Sequence, residues 1–148
     1  MITETIKQER IELNIKLSQS KLMLEPSDVV QLFFNHLKTR TVKPGTVIFT
    51  EGERGDTAYA LITGEIELTI EGKFIETITE HDVFGEGALV QPNHNRFTTA
   101  TAKTESQLAE LNQERFMFLL QETPLFALEI VRSLSTRLRK LKTTIKNS

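Results

Sequence analysis

A short glycine-containing segment carries the residue types that an anion-binding site needs. Gly85 and Gly87 flank Glu86, and Arg96 follows Glu86 after ten residues. Glycine lets the backbone come close to a ligand, and the planar guanidinium of arginine can hold two oxygens of an oxyanion at once. Arg96 and the backbone amides around Gly87 and Ala88 could therefore bind an anion. The simpler interpretation of Glu86 and Arg96 is a salt bridge across a loop.

The charge around this segment favours a dedicated role for the arginine. From Glu51 to Glu86 the sequence has ten acidic residues and only two basic ones, Arg54 and Lys73. Such a stretch repels an anionic ligand unless a fixed cation offsets its field. Arg96 is the candidate for that cation. The acids other than Glu86 are expected to lie on solvated strand faces and turns.

The sequence offers no catalytic constellation. It has no Cys, so disulfides, thiol nucleophiles and Cys-based metal sites are excluded. The histidines are His36, His81 and His94, and they form no His-x-His pair, which argues against a metalloenzyme. Neither a Gly-x-Ser-x-Gly motif nor a phosphate-binding Gly-x-x-x-x-Gly-Lys-Ser/Thr motif occurs. We therefore expect a binding protein with no catalytic residues, no metal and no cofactor.

The middle of the chain is predicted to form strands joined by frequent turns, because all seven glycines fall between residues 45 and 87. Residues 66–70 alternate strictly between apolar and polar, as a half-buried strand does. Glu71-Gly72 indicates a tight hairpin that leads into a partner strand at residues 74–78. Further strands are predicted at residues 47–49, 59–62, 97–102 and 107–111. Several short strands at regular spacing favour an antiparallel sandwich or jelly roll.

The N-terminal end is predicted to be helical. Residues 1–24 carry apolar residues at helical spacing without Gly or Pro. After a break at Glu25-Pro26, Ser27 or Asp28 can cap a second helix that extends to about Leu37.

The C-terminal end is also predicted to be helical. Asn112 can cap a helix that ends near Gln121, and Thr123-Pro124 is a typical helix start with Thr as the cap. The last helix carries an apolar seam at spacings of four and three residues, which predicts that its first turns pack on the domain and its later turns meet a partner helix in a homodimer. The alternative is a single helix that lies on its own core. The seam residues are Ala127, Val131, Leu134, Leu138, Leu141 and Ile145.

Length and charge set further limits. A chain of 148 residues suits one domain, here divided into an N-terminal helical segment (1–38), a β-barrel (39–111) and C-terminal helices (112–148). The net charge of −2 argues against a whole-protein electrostatic grip on nucleic acid. No run of about 18 apolar residues occurs, and the N-terminus lacks the apolar region of a secretory signal. We therefore expect a cytoplasmic protein without a membrane span.

The segment Phe84-Gly85-Glu86-Gly87-Ala88-Leu89, followed by Arg96, resembles the phosphate-binding cassette of cyclic-nucleotide-binding domains. Other segments resemble further parts of this family in the same order, over about residues 27–145 in all. They are residues 43–49 with the turns at 51–52 and 55–56, residues 59–66, residues 102–104, and the Thr123-Pro124 helix start, the last two as in the catabolite-activator branch.

The resemblance implies a mainly β fold, an antiparallel jelly-roll β-barrel with N-terminal helices and a long C-terminal helix. It also implies a cyclic nucleotide, cAMP or cGMP, as ligand. In the family, the residues that match Arg96 and Glu86 bind the phosphate and the ribose 2′-hydroxyl, and Glu86 can also orient Arg96. The ligand-binding residues implied here are Gly85, Glu86, Gly87, Ala88, Arg96, Phe97 and Thr98.

The sequence departs from the family beside the arginine. Phe97 stands where a small residue, often Ser or Thr, would add a phosphate contact, and Asn95 replaces the common Pro. An aromatic ring at this position can crowd the pocket. Alternation along the predicted strand would point Phe97 away from Arg96.

The C-terminal helix differs as well. The positions that contact the base in the catabolite-activator branch fall on Leu141 and Lys142, with Thr143 and Thr144 as the nearest substitutes. Neither Leu141 nor Lys142 is an obvious adenine partner. Phe97 also replaces a Thr that could favour guanine, so the choice between cAMP and cGMP stays open. The chain ends at Ser148, and we therefore expect no helix-turn-helix domain. The basic residues of this helix are interpreted as a solvated face rather than a nucleic-acid or membrane surface.

Two hypotheses follow. The first is a stand-alone cyclic-nucleotide sensor that signals through its C-terminal helix to a separate partner protein. The alternative is a dimerising or scaffold module that keeps the fold and binds no nucleotide.

Overall fold

The computed structural model describes residues 2–19, 26, 29–30 and 37–148. The first helix, α1, spans Ile2–Gln19 and confirms the predicted N-terminal helix over the described part of residues 1–24. The second predicted helix falls mostly on residues outside those described. Val29 and Val30 within it have helical backbone and are buried in the hydrophobic core.

The middle of the chain forms two antiparallel sheets of four strands each. The first sheet has the order β1-β8-β3-β6 and the second β2-β7-β4-β5. The strand bounds are β1 Thr39–Val42, β2 Val47–Phe49, β3 Thr57–Thr63, β4 Ile66–Ile70, β5 Lys73–Ile78, β6 Val83–Phe84, β7 Thr99–Ala102 and β8 Ser106–Asn112. Among the described residues no strand of one sheet pairs with a strand of the other. The fold is thus the predicted jelly roll, but backbone pairing does not close it into a continuous barrel.

The hairpin between β4 and β5 forms where the sequence predicts it. Glu71 and Gly72 both have positive φ angles, 50° and 77°, as the two central residues of a tight type I′ turn do. Ile70 pairs with Lys73 across the turn.

The predicted strand at residues 97–102 begins two residues too early, since β7 starts at Thr99. The backbone of Arg96 is instead bonded to the loop before β3. Its N–H donates to the carbonyl of Glu53 at 2.7 Å, and its carbonyl accepts from the N–H of Gly52 at 2.8 Å. Phe97 and Thr98 leave this loop before the chain joins the second sheet, so strand alternation does not apply to Phe97.

Two hydrophobic clusters hold the sheets and helices together. One lies between the two sheets, and within it the rings of Phe49, Tyr59 and Phe84 are in contact at centroid distances of 5.4 to 6.2 Å. The other packs the outer face of the first sheet against the helices, with Phe116 and Phe126 in edge-to-face contact. The aromatic group between the sheets reaches the end of the sandwich at which Arg96 lies.

Three helices follow in the rest of the chain. They are α2 Gly87–Val90, α3 Gln113–Glu122 and α4 Pro124–Lys146. The Asn112 cap is confirmed, because its Oδ1 accepts a hydrogen bond from the N–H of Arg115 at 2.9 Å. The Thr123 side-chain cap is wrong: its hydroxyl is buried and, in the described part of the chain, makes no hydrogen bond. Its backbone carbonyl accepts from the N–H of Phe126, and Pro124 opens the helix as predicted.

Helix α4 packs on the domain with one face and exposes another. Phe126 and Ile130 in its first turns are buried in the cluster beneath it, as predicted. The seam residues Val131, Leu134 and Leu138 are exposed. None of the described helices has the length and apolar composition needed to cross a bilayer.

Candidate functional site

One cavity of about 560 Å³ lies between α2, the segment before β7 and helix α4. Its volume is within the range of small-molecule sites, roughly 300–1,000 Å³. All seven residues that the resemblance implies line this cavity, namely Gly85, Glu86, Gly87, Ala88, Arg96, Phe97 and Thr98. The other lining residues are Phe49, Leu68, Glu76, Gln91, Asn93, Asn95 and Arg137. The roles of the first seven residues as ligand contacts remain predictions.

Arg96 is a buried cation held by backbone carbonyls. Only 6% of the residue is exposed. Nη1 donates to the carbonyl of Gly85 and Nη2 to the carbonyl of Thr57, each at 2.6 Å, and the guanidinium lies 4.2 Å from the ring centroid of Phe49. A guanidinium has five N–H donors, so three remain after these two bonds. Burial lowers the pKa of Arg96, although nearby charges including Asp56 oppose that shift.

Two glycines make room for this guanidinium. Gly85 has a φ of +77°, and a Cβ atom there would lie 2.9 Å from Nη1 of Arg96. A Cβ atom at Gly55 would overlap the guanidinium itself. The sequence assigns Gly55 to a turn between strands, and it does lie in the connection between β2 and β3. Its φ is not positive, so it is the close approach of Arg96 that requires glycine there.

Gly87 differs from these two glycines. A Cβ atom built there meets nothing within 4 Å, and the backbone has no positive φ. Gly87 begins α2, in which the amides of Leu89 and Val90 donate to the carbonyl of Glu86. The first amides of a helix have no acceptor within it, so those of Gly87 and Ala88 are available at the cavity wall. Nothing in the packing requires glycine here, and a ligand close to the backbone would.

Glu86 does not orient Arg96, contrary to expectation. Both of the hydrogen bonds described for Arg96 go to carbonyls, and the carboxylate of Glu86 faces Arg137 instead, with Oε1 3.8 Å from Nη1. The residue is 8% exposed, and burial raises the pKa of Glu86 while the charge of Arg137 opposes the shift. Within the described residues, Oε2 of Glu86 and Nη1 of Arg137 are buried without a hydrogen-bond partner. Two such atoms at a cavity wall offer an acceptor and a donor to a ligand.

Arg137 joins helix α4 to the second sheet. Its Nε donates to Oε1 of Glu76 on β5 at 2.7 Å, and Nη2 is 3.4 Å from Oε2. Burial alone would lower the pKa of Arg137, but the hydrogen bond with Glu76 and the charge of Glu86 raise it overall. Four residues before it on α4, the hydroxyl of Ser133 donates to the carboxylate of Asp82 at 2.7 and 2.8 Å.

These contacts correct two expectations. Glu76 and Asp82 are not solvated acids, since both hold helix α4, and Arg137 is not part of a solvated basic face. Arg137 is absent from the site residues that the sequence predicts, although a signal exists. Four residues of α4 recur at spacings of four, three and four on a face other than the seam. They are Phe126, Ile130, Ser133 and Arg137.

Phe97 stands at the mouth of the cavity with 82% of its surface exposed. The ring leaves the interior open, so it does not fill the pocket. Thr98 behind it is half-buried and lines the same cavity.

The positions predicted for base contacts lie elsewhere. Leu141 and Lys142 do not line the cavity. The hydroxyls of Thr143 and Thr144 donate to the carbonyls of Arg139 and Lys140 one turn earlier on the exposed helix. Arg137 is therefore the residue of α4 that reaches the cavity.

The described residues contain no group of three or more His, Asp or Glu side chains placed to hold a metal ion. What the cavity combines is a buried guanidinium, open amides at a helix start and a carboxylate acceptor. This set can bind an anionic ligand that also carries a hydroxyl donor.

Comparison with known proteins finds relatives whose names include cAMP. The chain is 41% identical over 86 residues to a cAMP-dependent protein kinase regulatory subunit of Yarrowia lipolytica, a match that covers 57% of the chain and 23% of the subunit. It is 24% identical over 123 residues to the cAMP-activated global transcriptional regulator CRP of Pasteurella multocida, covering 80% of the chain and 59% of that protein. The chain thus spans less than two thirds of either relative.

A solved structure of the c-di-GMP responsive global regulator CLP of Xanthomonas campestris has the same fold, with a TM-score of 0.71 at 23% identity. The superposition covers 79% of the chain and 61% of that structure. The family model described as "Cyclic nucleotide-binding domain" matches residues 39–123, which include all eight strands, α2 and α3. The chain therefore belongs to the cyclic nucleotide-binding domain family.

Proposed function

We propose that this protein binds a cyclic nucleotide, cAMP or cGMP, in the cavity between α2 and α4. The observation that carries the proposal is the buried guanidinium of Arg96. In the described part of the chain no carboxylate lies within ion-pair distance of it, and its neighbours are two backbone carbonyls and the ring of Phe49. A buried cation without an anionic partner is costly, and an anionic ligand supplies that partner.

The phosphate is placed against Arg96 and the amides at the start of α2. The ribose 2′-hydroxyl is placed on Glu86, whose Oε2 is without a partner among the described residues. A charge-assisted hydrogen bond contributes about 1.5–3 kcal/mol, so Arg96 alone can account for one to two orders of magnitude in affinity. One relative is the regulatory subunit of a cAMP-dependent protein kinase, which supports a cyclic nucleotide as the ligand. Binding rather than catalysis is the proposed activity.

Helix α4 is the proposed route of signalling to a partner protein. Glu86 is shared between the ligand's hydroxyl and Arg137, which also holds Glu76 of β5. A ligand that draws Glu86 toward itself weakens one of the contacts that keep α4 on the sheet. The position of α4, or the fraction of molecules in which α4 is docked on the sheet, then depends on whether the ligand is bound.

The exposed seam of α4 supports a homodimer. Val131, Leu134 and Leu138 lie on one face and are exposed, which is unusual for so many large apolar side chains in a row on a monomer. The molecular mass in solution at micromolar concentration tests this proposal. Leu138→Glu should yield a monomer, whereas Thr143→Glu on the exposed face opposite the seam should leave the dimer intact. A monomeric wild-type protein contradicts the proposal that the seam forms a homodimer interface.

Calorimetric titration with cAMP and with cGMP tests the main proposal. Saturable heat with either nucleotide is expected, and the ratio of the two affinities identifies the ligand. No heat with either at millimolar concentration overturns the proposal and favours the nucleotide-free scaffold. Phe97, Asn95 and Leu141 are the departures from the family that motivate this second candidate.

A further inference from the structure

Phe97 is the most exposed aromatic residue at the cavity. It is 82% exposed and follows directly after Arg96, which is 6% exposed. A single exposed apolar side chain is normal on a protein surface, so what distinguishes Phe97 is its position at the cavity, next to the buried Arg96. Phe74 on β5 is a comparison: it is 60% exposed but does not line the cavity.

The other aromatic rings near the cavity are already engaged. The face of the Phe49 ring is in cation–π contact with the guanidinium of Arg96. The ring of Tyr59 contacts those of Phe49 and Phe84. No ring or cation contact of Phe97 occurs within the residues that the structure describes, and its faces are open to solvent. Phe97 is therefore the ring that is free to accept a flat partner.

Helix α4 offers such a partner one polar atom, the unpartnered Nη1 of Arg137. Leu141 and Lys142 do not line the cavity, and Arg137 is engaged with two carboxylates. Phe97 follows Arg96 directly in the chain and lines the same cavity, so it is within reach of a ligand held at Arg96. Polar side chains also line this part of the cavity, among them Gln91 and Asn95, but Phe97 is the ring that is open to a flat ligand.

We infer that Phe97 is the platform on which the nucleobase of the bound ligand stacks. The inference rests on the proposed function and adds the residue that determines which nucleobases are bound. Aromatic stacking tolerates every base because each base has a π face, and it strengthens with the size of the ring system. Phe97 thus selects purine over pyrimidine cyclic nucleotides and leaves adenine and guanine nearly equal. Stacking energies measured by alanine substitution correspond to an affinity change of roughly 5- to 150-fold.

Two variants with matched controls test the platform. Phe97→Ala should bind cAMP and cGMP about 5- to 150-fold more weakly in calorimetry, and should lose less affinity for cCMP. Phe74→Ala should bind all three as the wild type does. Because Phe97 is exposed, its removal should leave the thermal unfolding midpoint unchanged, which separates stacking from a structural role.

Phe97→Trp gives a direct signal because the chain contains no Trp. Its fluorescence should be quenched in a saturable manner as cAMP is added, whereas Phe74→Trp should show no change. Wild-type affinity of Phe97→Ala for both purine nucleotides, or an unquenched Phe97→Trp that binds by calorimetry, overturns the platform and leaves the proposed function standing. Loss of a dimer in Phe97→Ala assigns the ring to an interface and also overturns it. Absence of binding by the wild-type protein removes the proposed function itself.

Discussion

The two edges of the cavity each carry a buried arginine, and the two are held in different ways. Arg96, on the strand side, donates to the carbonyls of Gly85 and Thr57 and stacks on Phe49. Arg137, on the helix side, is held by the carboxylates of Glu76 and Glu86. Carbonyls fix the position of a guanidinium without neutralising its charge, whereas carboxylates do both.

The difference separates two tasks. The charge of Arg96 is available to the anionic ligand proposed above. The charge of Arg137 is already compensated, and its contribution is to join α4 to the second sheet. Glu86 lies between the two arginines and faces the second, so a ligand that bonds to Glu86 acts on the helix edge as well.

The largest expected effect is on binding at the strand edge. Arg96→Ala should weaken cyclic-nucleotide affinity about 10- to 100-fold, because the ligand loses its charge-assisted hydrogen bonds. Arg96→Lys keeps the charge without the planar fork and should lose less. Calorimetric titration measures both. Arg40→Ala, a change of an arginine outside the cavity, is the control, and a folded Arg96→Ala protein with wild-type affinity contradicts the assignment.

The next effect is on stability at the helix edge. Arg137→Met keeps the aliphatic stem but leaves Glu76 and Glu86 without their cation, which should cost about 1–2 kcal/mol. For a protein of this size the melting temperature should fall by roughly 2–4 °C per kcal/mol. Arg139→Met changes an exposed arginine of the same helix and should have almost no effect. Equal melting temperatures of the two variants contradict the structural role of Arg137.

A smaller effect tests the backbone amides between the two edges. Gly87→Ala meets no atom within 4 Å, and alanine is favoured over glycine in a helix by up to about 1 kcal/mol. We therefore expect equal or slightly higher stability in urea denaturation but several-fold weaker nucleotide binding. Weaker binding together with loss of stability would mean that Gly87 serves the fold instead.

The smallest effect is the pH dependence of Glu86. Burial raises its pKa above the ordinary value of 4.5, so just above that pH the folded protein holds a proton that the unfolded chain has lost. The stability that this carboxyl group contributes is complete below pH 4.5. It falls as the pH rises through the raised pKa, with a slope of at most about 1.4 kcal/mol per pH unit.

Glu86→Gln mimics the neutral form at every pH. The free energy of unfolding of the wild type minus that of Glu86→Gln should therefore decrease as the pH rises from 4.5, measured in urea at each pH. A difference that grows with pH would mean that Arg137 outweighs burial at this carboxyl.

Local signals account for most of what the sequence predicts. The β4–β5 hairpin follows from strict alternation and Glu71-Gly72, and the helix at Asn112 follows from its cap. The cassette residues are found because glycine and arginine are distinctive at that spacing. Strand β6 has only two residues, too few for a pattern, and it exists because Val83 and Phe84 pair with β3.

The remaining features depend on contacts between distant segments. Gly55 needs to be glycine because Arg96, 41 residues later, lies against it. Arg137 is fixed by Glu76, 61 residues earlier, and the helical period gives its face but not what lies opposite. The Thr123 cap fails because burial of the side chain outweighs the local preference for a capping hydroxyl.

The way in which Arg96 is held has a kinetic consequence. Its guanidinium is immobilised by two carbonyls and a ring in the protein without ligand, so a ligand need not freeze this side chain on arrival. Immobilising a long side chain typically costs about 0.5–1.5 kcal/mol, and here folding has already met that cost. Capture of the phosphate should then need no reordering of Arg96, and in the mechanism proposed above a slow step of the response would lie in α4.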